Sequence, residues 1–355
     1  MISREIIQKI LTAGCMAPSG GNSQPWEFEV DGSLIKVIAK PERDHPVLNA
    51  LYRGTWIAHG ALIENICLAA SSCGIATHVS IFPDNNREFI TAHIQLSESG
   101  AVPADDLAAF IPERATNRKP YSDKVVSADI QKQLAQSVGV STDVGVEFIS
   151  DREVIGKIAQ SLSVSERIMF ENKILHGLLF KEMVFNKKQE AKKGGGLLLT
   201  TLELQPPQWA MLHFIQYWPV MKIAAKLGVA RLIAKENAQN HRSCGLLCVV
   251  KVSKNKEAFL GAGRSIERLW LSATKNNLSV QLNSGLFFFK QAIDEKTATG
   301  VFSEVEQKEI NAGYDTVASL CDAKDGMITT ILRIGYGEKP STKSFKPAPV
   351  IHWIN

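Results

Sequence analysis

Gly60-Ala61-Leu62-Ile63-Glu64-Asn65-Ile66-Cys67-Leu68-Ala69-Ala70 recurs, much altered, as Gly263-Arg264-Ser265-Ile266-Glu267-Arg268-Leu269-Trp270-Leu271-Ser272-Ala273. Glycine leads both copies, Glu64 answers Glu267, Leu68 answers Leu271 and Ala70 answers Ala273. The first copy is apolar on nearly every side, which predicts a central buried helix over Trp56 to Gly74, closed by Gly74 as the residue after its last turn. A short strand pattern follows each copy, at Thr77 to Phe82 and at Leu278 to Leu282, and a further strand is expected at Phe89 to Leu96. Two related helix–strand units in one chain argue for internal duplication.

Working outward, the duplication extends to the start of each half. Ser3-Arg4-Glu5-Ile6 opens an amphipathic helix with Ser3 as N-cap, and Ser127-Ala128-Asp129-Ile130 opens another in the same way. The strand Glu27-Phe28-Glu29-Val30 is matched by Val146-Glu147-Phe148-Ile149. In the first half a hairpin around Asp31-Gly32-Ser33 returns the chain into a second strand, Leu34 to Ala39. The offset between the halves grows from 124 residues early to 203 late, so the second half carries 203 − 124 = 79 extra residues. They fall between about 151 and 243. Helical periodicity at Ile168, Ile174, Leu175, Leu178 and Leu179, a Lys- and Gly-rich break at Lys192 to Gly196 and an apolar stretch interrupted by prolines make this segment a helical lid, not a solvated loop. The expected organisation is a first repeat over 1–110 and a second over 111–355, carrying the lid at about 151–243. The fold class is α+β, with two tandem repeats of mixed sheet and helix forming a pseudo-dimer inside one chain.

Composition bounds the rest. The chain has 355 residues, 45% hydrophobic and 21% charged, with a formal net charge of +4, values of a globular protein without a nucleic-acid-binding stripe. Its six cysteines form no Cys-x-x-Cys pair and no metal-ligand spacing, so reduced thiols and a cytoplasmic location are expected. Charge appears at once in Met1-Ile2-Ser3-Arg4-Glu5, unlike a signal peptide. Leu197 to Ile233 is rich in Leu, Trp, Phe and Ile, but Glu203, Pro206-Pro207, His213, Pro219 and Lys222 break it below the ~20 apolar residues of a membrane span. Neither nucleic acid nor membrane is expected as a partner. Gly261-Ala262-Gly263 lacks the third glycine of a dinucleotide fingerprint, Ser19 lies in no G-x-S-x-G elbow, and His59, His78 and His93 stand singly, so no metal site is expected.

Two stretches carry chemistry. Ala17-Pro18-Ser19-Gly20-Gly21-Asn22-Ser23-Gln24-Pro25-Trp26 forms a compact turn with exposed backbone donors and two amide side chains, Asn22 and Gln24. Arg114-Ala115-Thr116-Asn117-Arg118-Lys119-Pro120-Tyr121 sets two guanidinium groups four residues apart around a hydroxyl, a pattern suited to a dianionic phosphate.

The first stretch resembles the A-P-S-x-x-N-x-Q-P-W segment of the nitroreductase-like FMN proteins, and the second resembles their R-x-S-x-R segment; the T-N-R-K-P-Y run is similar to that of the tandem, Acg-like branch. The resemblance covers about 1–150 and 243–350. It implies FMN as cofactor, held at a two-fold interface by phosphate ligands from one unit and the turn from the other. The first half has the turn without the arginine segment. The second half has Arg114, Thr116, Asn117 and Arg118, but its own turn has decayed to Val138-Gly139-Val140-Ser141-Thr142-Asp143. One intact and one degenerate site are therefore implied, and one flavin per chain. Pro18, Ser19, Gly20, Asn22 and Gln24 would meet the flavin from one side. Asn283-Ser284-Gly285 stands where the family offers a backbone N–H to the ring, and Lys343 and Lys346, after the closing strand Thr329 to Gly337, would reach the phosphate. No catalytic side chain is implied, because the flavin does the hydride chemistry. The activity implied is ping-pong hydride transfer from NAD(P)H through FMN to a nitroaromatic or quinone. A flavin-sequestering protein with little turnover is the alternative, since the lid could cover the face that nicotinamide needs. A monomer is expected, with a homodimer left open.

Overall fold

The computed structural model describes residues 2–98, 102–139, 143–321 and 326–354. Ser3 caps α1 (Arg4–Gly14), its hydroxyl accepting from the Ile6 amide, and α1 leads through the turn into the hairpin β1 (Trp26–Asp31) and β2 (Leu34–Ala39). Gly32 turns the hairpin at φ 56, a left-handed conformation that costs glycine little. α2 (Arg53–Ser72), β3 (Ala76–Ile81) and β4 (Ile90–Ser97) complete the first unit. The second unit starts with α3 (Ala128–Ser137), capped by Ser127 as Ser3 caps α1, and β5 (Val144–Ile149).

Where the first unit makes a tight hairpin, the second inserts α4 (Arg152–Glu171), α5 (Lys173–Glu182), β6 (Met183–Val184), α6 (Lys187–Lys193), β7 (Leu197–Leu198), α7 (Pro206–Ile215), α8 (Trp218–Lys226) and α9 (Val229–Arg242). The chain then resumes with β8 (Leu246–Val252), α10 (Lys256–Lys275) and β9 (Ser279–Asn283). A second interruption, α11 (Gly285–Asp294) and α12 (Glu304–Leu320), precedes β10 (Met327–Gly335), and β11 (Ile351–Ile354) follows.

Strand order records the duplication. The second sheet runs β5-β8-β10-β9, and the first contains β1-β2-β4-β3, every one of these neighbours antiparallel. Equivalent strands hold equivalent places. The first sheet gains one strand, β11, which pairs parallel to β1 with Phe28 opposite Ile351 and Val30 opposite Trp353. Sequence comparison missed this exchange, and missed α11–α12, because the repeat was followed only as far as the strand after Gly263.

α2 and α10 pack on each other between the sheets. A methyl group added at Gly60 would lie 1.9 Å from the Leu260 carbonyl oxygen, and one at Gly263 1.9 Å from that of Ile57. The leading glycines of the two copies are thus where the helix backbones meet. Leu62, Ile66, Ile266 and Trp270 share one core with Phe28 and Val37 of the first sheet and Val250 and Leu332 of the second. The duplicated glutamates are also buried at this crossing. Glu64 pairs with Arg264 (2.7 Å) and Arg268 (2.9 Å), and Glu267 pairs with Arg114 (3.2 Å).

Candidate functional site

The turn after α1 is wound tightly by its own sequence. Ser19 accepts the Gln24 amide at its hydroxyl (3.0 Å), and Gly21, Asn22 and Gln24 all take positive φ. Asn22 and Gln24 lie where non-glycine residues are uncommon, which concentrates strain in this turn. His59 of α2 braces it from below: Nε2 donates to the Pro25 carbonyl (2.8 Å), leaving Nδ1 to accept from Thr91 (2.8 Å). Burial keeps this imidazole neutral, its pKa pushed down to about 4.

Two of the predicted cations close on the turn. Lys346 donates to the Ala17 carbonyl (2.7 Å) and to Asn22 Oδ1 (2.8 Å), while Asn22 Nδ2 donates to the Phe345 carbonyl (3.0 Å). Arg114 donates to the Met16 carbonyl, pairs with Glu267 and lies over the Trp270 ring at 4.7 Å. Burial, aided by the Arg114 charge, pulls the Lys346 ammonium down to about 7. Burial pushes the Glu267 carboxyl up, against the pull of Arg114. Lys343 stands at the root of the arginine segment, donating to the Pro112 (2.8 Å) and Glu113 (2.9 Å) carbonyls.

The rest of the arginine segment belongs to another place. Thr116 bridges to Val280 of β9, and Asn117 Nδ2 donates to Ser279 (2.7 Å) and the Glu338 carbonyl (2.7 Å), so the segment runs along the edge of the second sheet. Arg118 then reaches into the insertion and donates to the Thr201 carbonyl (3.0 Å). Burial lowers its pKa to about 10, which leaves the guanidinium charged at neutral pH. Arg118 lines a cavity of about 370 Å³ together with Asn283, Ser284 and Gly285. α11 begins at Gly285 with no side-chain cap, so the unpaired N–H groups of its first turn lie at this wall.

The same cavity is bordered by polar atoms without partners. Gln281 Oε1, Asn283 Nδ2, Glu166 Oε2 and His241 Nδ1 are buried with no hydrogen bond among the described residues. Glu166 Oε1 holds the other nitrogen of His241 at 2.8 Å. A buried polar group left unpaired costs about 1–3 kcal/mol, so four around one cavity mark a place made for a polar ligand. Sequence reading missed Glu166, His241 and Gln281. They lie far apart in the chain, and only the fold of the insertion against β9 joins them.

Pro18 to Asn22 and Asn283 to Gly285 do not share this cavity. Asn22 and Gln24 face a separate one of about 470 Å³, across from Gly194, Gly195 and Gly196. A methyl group at Gly195 would lie 2.5 Å from the Asn22 carbonyl oxygen, so this glycine run of the insertion is seated directly on the turn. Glu190 of α6 adds a tie by accepting the Phe345 amide (2.8 Å). Of the predicted residues, Asn22 and Gln24 line one cavity and Arg118, Asn283, Ser284 and Gly285 the other, with residues of the insertion at both, whereas Pro18, Ser19, Gly20, Arg114, Thr116, Asn117, Lys343 and Lys346 line neither. Of the decayed second turn, Val140 to Thr142 lie outside the described residues, and Val138 and Gly139 simply end α3.

All six cysteines are free, and no helix among the described residues is long and apolar enough to cross a membrane. No family model matches the chain. It is 24% identical over 182 residues to "Putative NAD(P)H nitroreductase acg" of Mycobacterium tuberculosis, covering 51% of this chain and 54% of that one. It is 20% identical over 342 residues to "Uncharacterized protein MT1398" of the same species, covering 94% and 46%. A "Putative NADH dehydrogenase/NAD(P)H nitroreductase" of Archaeoglobus fulgidus is 33% identical over 105 residues, covering 24% and 60%. Among solved structures, the FMN-dependent nitroreductase NfnB of Mycobacterium smegmatis in complex with NADPH matches at 11% identity and a TM-score of 0.40, over 65% of this chain and 88% of that one. The chain spans about half the length of the first two relatives.

Proposed function

We propose that this chain, which resembles the nitroreductase-like proteins, is an FMN-dependent oxidoreductase that takes electrons from NAD(P)H and delivers them to a small acceptor such as a nitroaromatic or quinone. The observation that carries the reading is the cavity where Arg118, the start of α11 and four unpartnered polar atoms meet. These residues fit the group. Arg118 would hold the phosphate, while Asn283 Nδ2 and the α11 N–H groups would meet acceptor atoms of the ring system. Arg114 and Lys346 would add positive charge from the side of the Ala17–Trp26 turn. Bound there, FMN would supply the hydride chemistry, accepting from the nicotinamide and passing on to the acceptor. Glu166 orients His241 through Nε2, and His241 Nδ1 is then the atom at the cavity wall able to hold a proton. We read the chain as one repeat to residue 110 and a second from 111, with the helical insertion at about 151–243.

One observation favours a second reading, flavin sequestration with little turnover. Leu197, Leu202, Leu204 and Met211 of the insertion wall the Arg118 cavity, so nicotinamide would have to displace them to reach a flavin held there. Spectroscopy separates the two. Purified protein should carry or take up FMN, and Arg118→Met should weaken that uptake by about tenfold or more, the worth of a charge-assisted hydrogen bond. Anaerobic NADPH should bleach the flavin band if the protein is a reductase, whereas lasting colour supports sequestration. A colourless protein that binds no added FMN removes both.

A further inference from the structure

The outer side of α7, α8 and the start of α9 is apolar and bare. Phe214 is 68% exposed, Tyr217 63%, Ile223 64% and Leu227 79%, with Trp209 and Leu232 also exposed beside them in the chain. Single exposed apolar residues are ordinary, but so many large ones within one stretch mark a contact surface. Along α8 and its C-cap, Val220, Ile223 and Leu227 follow helical spacing on the exposed side, while Met221 is fully buried. Exposed Lys222 and Lys226 flank that row, and Arg231 and Lys235 continue the charge onto α9. From Leu204 to Lys235 there is no Asp or Glu at all.

The combination selects the occupant. An apolar strip with aromatic residues, edged by Lys222, Lys226, Arg231 and Lys235 with Glu236, held by Gln208, as the one acid beside them, suits the boundary between anionic headgroups and acyl chains. α7 and α8 are 10 and 9 residues long, too short to span a bilayer, so they would lie in its plane. A second copy of this chain fits less well, because a two-fold contact on this face would bring like charges together. The inner sides of the same helices matter too. Met211 and Leu212 of α7 and Ile233 of α9 line the cavity of Arg118 and Asn283.

Against the sequence expectation of no membrane partner, which rested on the lack of a spanning segment, we propose that the α7–α9 face docks in the plane of an anionic lipid bilayer, which sets the apolar wall of the cavity beside the lipid. The proposal stands on exposure and charge and does not need the flavin. Its test is co-sedimentation of the purified full chain with vesicles of equimolar phosphatidylcholine and phosphatidylserine, against phosphatidylcholine alone. Binding should be about tenfold or more tighter to the anionic vesicles and should weaken with added salt. The triple change Phe214→Ser, Ile223→Ser and Leu227→Ser should abolish it. Lys222→Glu with Lys226→Glu should remove the preference for the anionic lipid. These side chains are exposed, and an unchanged circular dichroism spectrum and melting point would confirm intact folding. Protein that stays in the supernatant with both vesicles overturns the proposal. So does a dimer, seen by sedimentation, that the triple variant converts to monomer while vesicle binding is absent throughout. Repeating the assay with and without FMN separates this result from the flavin question.

Discussion

His59 illustrates how one buried side chain can set the behaviour of the site at a distance. It is fully buried and held neutral between Thr91 and the Pro25 carbonyl. Its folded pKa, about 4, lies below the ordinary value of 6.5, so between these limits the unfolded chain binds more protons than the folded one. Stability should therefore fall as pH drops through this window. Between pH 7 and pH 5 the loss from this residue alone is about 2 kcal/mol. Urea titrations at the two pH values should show it, and His59→Gln should flatten the difference at some cost in stability at pH 7. None of this was legible in the sequence, where His59 stood as one of three isolated histidines. Its role comes from the strand pairing that brings Thr91 and Pro25 to opposite sides of the ring.

At the level of elements, the crossing of α2 and α10 was the most legible feature of the chain. Both copies keep the glycine that lets the backbones touch, and both keep the glutamate that stands one turn further along. Gly60→Ala or Gly263→Ala would drive a methyl group into a carbonyl oxygen that neither helix can withdraw alone. Each should cost about 3 kcal/mol, the upper range for overpacking, and lower the melting temperature measured by calorimetry. Gly74→Ala, at the end of α2 with open space around it, should cost less, because only its φ of 70 is then strained. The insertion was legible as helical from its periodicity, but its seating was not. The glycine run at 194–196 reads as a break in the sequence, and only the Asn22 carbonyl beneath it gives that break a purpose. The separation of Arg114 from Arg118 was hidden for a similar reason. Spacing showed two guanidinium groups, and the burial of Glu267 decides where the first of them points.

For the molecule as a whole, duplication explains the sheets and exchange explains how they are joined. The Phe28 amide donates to the Val350 carbonyl (3.0 Å), and Trp353 beside β1 carries Arg4 over its ring at 5.0 Å. The N-terminal unit is thus completed by a strand from beyond the C-terminal one. Ending the chain at residue 349 should release the β1 edge. Hydrogen exchange at the Phe28 and Val30 amides should then accelerate strongly, while the amides of β8 and β10 stay protected. The exchange also orders events during synthesis. The first sheet is translated early, yet its β1 edge stays unpaired until residues 351–354 have left the ribosome. Until then the nascent protein presents a free strand edge in which Trp26, Phe28 and Val30 alternate with Glu27, Glu29 and Asp31, and the acidic residues guard that edge against pairing with other chains.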